Sequence, residues 1–142
     1  MPVVFDDNGS ATPAITITPN DVAPFHVTVS NLLNQYTLGG AAIVGTCGLT
    51  KSGTAGLTLN GTNTYSGMTS VNAGTLTVNG VLSNTSIFLA NGATFIENET
   101  GMLSGSEMRF TSYGTATLAG SNTYDGATTV GINGTGAASF CT

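Results

Sequence analysis

Few side chains in this sequence can do chemistry, and their types and spacing decide which chemistry is open. His26 is the only histidine among 142 residues. A two-histidine metal site is therefore excluded, and any Ser-His-Asp triad would have to be built on it. It sits in Phe25-His26-Val27-Thr28-Val29, where alternation places it opposite Phe25, Val27 and Val29, as an exposed strand histidine would be. Glu97 and Glu99 share one face of an extended segment. Paired carboxylates bind Ca²⁺ or do acid–base work, but a solvated strand end is the plainer reading. Asp6-Asp7-Asn8-Gly9 looks like a calcium-loop fragment, yet the spaced ligands and terminal glutamate are missing, which leaves a turn. Gly53-Thr54-Ala55-Gly56 is not followed by the Lys and Ser/Thr of a phosphate-binding loop.

Lys51, the sole lysine, is what a structural isopeptide bond to an Asn or Asp would need. A carbohydrate site would draw on Glu97, Glu99, Glu107 and Arg109, with Tyr36, Tyr65, Tyr113 and Tyr124 to stack on sugar rings. Cys47 and Cys141 are too far apart for a CxxC metal pairing. An intramolecular disulfide, an intermolecular one and two free thiols stay open. Thr-x-Thr pairs occur at Thr16/Thr18, Thr62/Thr64, Thr75/Thr77 and Thr115/Thr117. On a flat face such a ladder could order water or bind ice, but the intervals are irregular. No cofactor and no catalytic set emerge.

The elements that must position these residues are short strands. Leu57 and Leu59 alternate with Thr58, and Leu76 and Val78 alternate with Thr75 and Thr77. Each run has one apolar and one hydroxyl-bearing face, as a half-buried strand does. Asn60-Gly61, Ser66-Gly67, Ala73-Gly74 and Asn79-Gly80 separate the runs, and glycine turns the chain there without steric cost. Further strands are expected at Val3–Phe5, Ile15–Thr18, Phe25–Val29, Tyr36–Leu38, Ala41–Val44, Ser86–Leu89, Thr94–Ile96, Glu107–Phe110, Gly114–Leu118 and Ala138–Cys141. Only Asn31-Leu32-Leu33 admits a helical turn.

The pattern repeats. TLNGTNTYSGMTSV from Thr58 to Val71 returns as TLAGSNTYDGATTV from Thr117 to Val130. Leu59, Gly61, Asn63, Tyr65, Gly67 and Val71 are matched by Leu118, Gly120, Asn122, Tyr124, Gly126 and Val130, a signature of repeat architecture. In a stacked coil, Leu59, Leu76 and Leu89 enter the core and Thr58, Thr75 and Thr77 face out. Asn63 and Asn122 fall at corners, where the amide bonds neighbouring backbone. Tyr65 and Tyr124 pack over apolar corners with their hydroxyls in water.

Composition narrows the function. Charged residues are 6% of the chain, the net charge is −5, and Lys51 and Arg109 are the only strong cations. The electrostatic footprint of a nucleic-acid binder is absent. No basic amphipathic stretch suits an anionic membrane, and no apolar run reaches the roughly 20 residues of a transmembrane helix. Met1 to Ser10 lacks the basic start and apolar centre of a signal peptide, so an exported form would have lost its leader or belong to something larger.

The stretch Leu49 to Gly80, LTKSGTAGLTLNGTNTYSGMTSVNAGTLTVNG, resembles the autotransporter-associated (passenger-associated) β-strand repeat of bacterial secreted and surface proteins. The core match covers residues 48–80. The resemblance implies a right-handed parallel β-helix and a location outside the cell, without implying an activity.

The expected fold is therefore all-β, a right-handed parallel β-solenoid of five or six short coils in one domain over residues 1–142. Residues 1–48 form N-terminal coils or a cap, 49–80 the core repeat, and 81–142 further coils with the second copy at 115–130. The expected function is a non-enzymatic structural or interaction protein, extracellular or on the bacterial cell surface. It would assemble with itself, end to end or by strand exchange, or mediate adhesion, with host or matrix glycans as partners. The alternatives are a carbohydrate-binding or carbohydrate-cleaving β-helix, and a scaffold segment of a larger passenger.

Overall fold

Coil after coil, each strand of this chain hydrogen-bonds to the strand one turn before and one turn after it. The computed structural model describes residues 1–9, 14–106 and 108–131, and the backbone alone of 138–140. One side of the stack is a seven-stranded parallel sheet of β1 (Pro2–Asp6), β3 (His26–Ser30), β5 (Gly48–Ser52), β7 (Thr69–Val71), β10 (Ile87–Leu89), β13 (Phe110–Ser112) and β15 (Thr128–Val130). The second side is β2 (Ala14–Ile17), β4 (Tyr36–Gly40), β6 (Gly56–Leu59), β8 (Thr75–Val78), β11 (Thr94–Glu97), β14 (Thr115–Leu118) and β16 (Ala138–Phe140). A short third side holds β9 (Val81–Ser83) and β12 (Met102–Ser104), extended by bridges Val22↔Ile43 and Asn63↔Leu82. All pairings are parallel and the chain winds through about six turns of a β-solenoid.

The turn length is not constant. Along the first sheet, partners lie between 18 residues apart (Thr69 with Ile87) and 24 apart (Pro2 with His26). The corners absorb the difference, so the inward columns stay in line. Val27, Leu49, Thr69, Ile87 and Phe110 form one column, and Tyr36, Leu57, Leu76, Phe95 and Ala116 another. Leu57, Leu59, Leu76, Val78 and Leu89 are wholly buried, each worth about 1.5–3 kcal/mol of transfer free energy. Glycine is forced where corners nest. A Cβ on Gly120 would lie 2.0 Å from the Gly101 carbonyl oxygen, and one on Gly67 would lie 2.3 Å from that of Cys47.

Five expectations are corrected. The strand expected at Glu107–Phe110 is instead Phe110–Ser112. Ala41–Val44 is no strand; only Ile43 pairs, in an isolated bridge. Asn31-Leu32-Leu33 is a bend, not a helical turn, because Asp7 takes the amides of Leu32 and Leu33. Phe25 is 80% exposed rather than inward: it precedes β3, tied by its amide to the Met1 carbonyl, so strand alternation does not reach it. The first coil simply continues both sheets, leaving an apolar cavity of about 400 Å³ lined by residues that include Val3, Phe5, Ile15, Ile17 and Leu38.

Candidate functional site

The repeat motif builds a corner. Asn63 Oδ1 accepts from the Ile43 amide, one coil back, at 3.1 Å, and its Nδ2 donates to the Gly61 carbonyl. Asn122 does the same with Leu103, at 2.7 Å, and with Gly120. One side chain thus joins two coils and closes its own turn. The tyrosines also repeat a bond, Tyr65 to Thr69 at 2.7 Å and Tyr124 to Thr128 at 2.6 Å. In the first copy it continues through Thr69 and Thr85 to the Gly67 carbonyl. Since Thr85 donates to that carbonyl, Thr69 donates to Thr85 and Tyr65 to Thr69, so every hydroxyl is satisfied. Tyr65 is wholly buried, not wet, and burial pushes its hydroxyl well above the usual phenol range. Tyr124, in a later coil, stays half-buried.

Two charged residues sit in the core, where side-chain parity puts them; for Glu97 this overturns the expected solvated strand end. Lys51 occupies an inward column between Val29 and Val71 and is wholly buried. Its Nζ donates to the carbonyls of Gly53 (2.8 Å), Ser52 (3.0 Å) and Ala73 (3.4 Å). Burial lowers its pKa to about 8, against the opposing pull of Asp7. Glu97 lies between Val78 and Leu118 in the second sheet's inner column, also wholly buried. Its Oε2 accepts from Asn122 Nδ2 (2.8 Å) and the Gly120 amide (3.2 Å), while Oε1 has no partner among the described residues. Glu99 is exposed in the turn beyond β11. The two glutamates therefore do not share a face, and no solvated carboxylate pair forms.

The remaining candidates are dispersed. Asp6 caps Asn8, and the Asp7 carboxylate accepts from the amides of Asn34, Leu32 and Leu33, which hold it below the usual carboxylate range. The segment is a turn. His26 Nε2 meets Thr50 Oγ1 at 3.0 Å. Tyr36 is buried against Phe5, its hydroxyl donating to the Asp6 carbonyl. Tyr113 is partly exposed beside Phe88. Cys47 is a buried free thiol whose pKa burial raises; Glu107 and Cys141 lie outside the described residues. Sequence reasoning missed an exposed asparagine ladder, in which Asn98 donates to Asn79 and Asn79 to Asn60. Its signal was Asn60-Gly61 and Asn79-Gly80, which mark the same corner one coil apart.

A parallel β-solenoid pinned by repeated Asn-Thr-Tyr-x-Gly corners defines the class of this protein: a scaffold assembled from stacked coils. The passenger-associated-transport-repeat model matches residues 49–78 and 111–135, the two stretches that share the Asn-Thr-Tyr-x-Gly corner. No curated protein and no solved structure matches it. Repeat and solenoid together fit an autotransporter passenger-like scaffold.

Proposed function

We propose that this chain is a non-enzymatic scaffold of the secreted or cell-surface kind, which joins its copies end to end. The repeat family supports the location. The observation that carries the assembly is the end of the stack at β1 and β2. Among the described residues each of these strands pairs on one side only, and the apolar cavity described above lies between them. Unpaired strand edges over an open core are a template for a further coil, and a heterologous contact of this kind propagates into filaments. A non-enzymatic role is supported by the placement of the acidic and basic candidates: Glu97 is committed to a corner and Glu99 stands apart from it.

Negative-stain microscopy and sedimentation across a concentration series test the assembly. Filaments or concentration-dependent oligomers are expected, and Ile15→Asp, which puts a charge in the cavity, should abolish them. Monomer at every concentration refutes end-to-end joining. A glycan partner is the second reading, favoured by the cleft at Arg109, Asp125, Gly126 and Ala127, and a silent glycan array removes it.

A further inference from the structure

The outer face of the second sheet carries threonines in register. Thr37 pairs with Thr58 and Thr58 with Thr77; after Ile96 the column resumes at Thr117. Two residues earlier on their strands, Thr75, Thr94 and Thr115 stack in a second column. The intervals look irregular in sequence because the coils differ in length, but the sheet aligns them. Strand geometry makes this a net of about 4.8 Å between coils by about 6.7 Å along each strand. Among the described residues none is hydrogen-bonded to these seven hydroxyls. Threonine is stiff at χ1, so hydroxyl and methyl are held in place without much further loss of entropy.

What the face lacks narrows the ligand. No charged or aromatic residue projects from β4, β6, β8, β11 or β14, because Tyr36, Phe95 and Glu97 all turn inward. The first sheet differs, with His26, Phe88, Arg109 and Tyr113 on or beside its outer face. Protein partners are anchored by aromatic and Arg side chains, and sugar rings stack on aromatic ones; this face offers neither. A ligand that suits it is uncharged, repeats on the same few-ångström scale and both donates and accepts hydrogen bonds. Crystalline water has those properties. We propose that the threonine face of the second sheet is an ice-binding surface, with the hydroxyls joining the water lattice and the methyls ordering water between them.

The test uses the purified full chain at micromolar concentration, read by the shape of single ice crystals and by inhibition of ice recrystallisation in a sucrose film. Faceted crystals and arrested grain growth are expected. Thr58→Lys and Thr77→Lys should abolish both, whereas Thr111→Lys on the first sheet should leave both intact. If the lysine variants melt earlier than the parent, Thr58→Val with Thr77→Val keeps the branched shape, removes the hydroxyls and should still lose the activity. Round crystals with unhindered grain growth for the parent overturn the proposal. So does activity that survives the face substitutions.

Discussion

Lys51 offers a pH test of the core. Its ammonium is wholly buried and held by the carbonyls of Ser52, Gly53 and Ala73. In the folded chain the amine gives up its proton near pH 8, against 10.5 for an ordinary lysine. Between those values the unfolded chain binds more protons than the folded one, so stability rises with pH. From about pH 8 to about pH 9 the gain is at most about 1 kcal/mol, or about 3 °C in melting temperature. It is a ceiling, because the three carbonyls favour the charged form. Two groups work the other way at higher pH. The Cys47 thiol is raised by burial above its ordinary 9.0, and the Tyr65 hydroxyl above its ordinary 10.0; each removes stability once the unfolded group ionises. Melting Cys47→Ala by circular dichroism over this window takes the thiol out of the balance. A rising melting temperature is expected, and adding Lys51→Met should flatten it. A flat or falling curve in Cys47→Ala, or one that Lys51→Met leaves unchanged, refutes the reasoning.

Two further substitutions probe the stack. Leu76→Asp or Leu59→Asp places an unpaired carboxylate in a wholly buried column and should cost more than about 4 kcal/mol; a thermal melt matching the parent would show that these positions are not core. Asn63→Ala orphans the buried Ile43 amide and should cost about 1–3 kcal/mol by denaturant midpoint. Asn122→Ala should cost at least as much, because Glu97 loses its 2.8 Å donor as well.

The alternation of Leu57-Thr58-Leu59 and Leu76-Thr77-Val78 marked the inward side correctly because a strand's side-chain period of two needs no tertiary knowledge. The same period also placed Lys51 with Leu49, and Glu97 with Phe95, on the inward side. Residue type misled for Glu97, expected at a solvated strand end, since a charge is expected in water unless partners are supplied, and a corner asparagine supplies one as backbone carbonyls do for Lys51. Tyr65 misled for the same reason: its partner Thr69 is four residues away in the motif, but Thr85, which carries the thread of hydroxyls onward, comes from the next coil, which sequence proximity does not reveal. Phe25 misled because the period holds only inside a strand. Coil register was legible only where like corners recur, as at Asn60-Gly61 and Asn79-Gly80, and the threonine net was not, because corners of unequal length separate the strands that stack.

The buried polar groups answer a problem that aliphatic stacking leaves open. Leu57 over Leu76, or Leu59 over Val78, differs little from the same column slipped by one coil, since exchanging one aliphatic for another of similar size costs under about 1.5 kcal/mol. A column of Leu and Val therefore holds coils together without saying which coil stacks on which. Lys51 can satisfy its ammonium only if the Ala73 carbonyl follows one coil on. Asn63 needs the Ile43 amide one coil back, and Asn31 the Gly56 carbonyl. Glu97 needs Gly120 and Asn122. Each slip would orphan several such groups at about 1–3 kcal/mol apiece, more for the charged ones, so they outweigh the aliphatic degeneracy. The repeat's asparagine is then a register pin, which accounts for its return in the second copy at the same place in the corner.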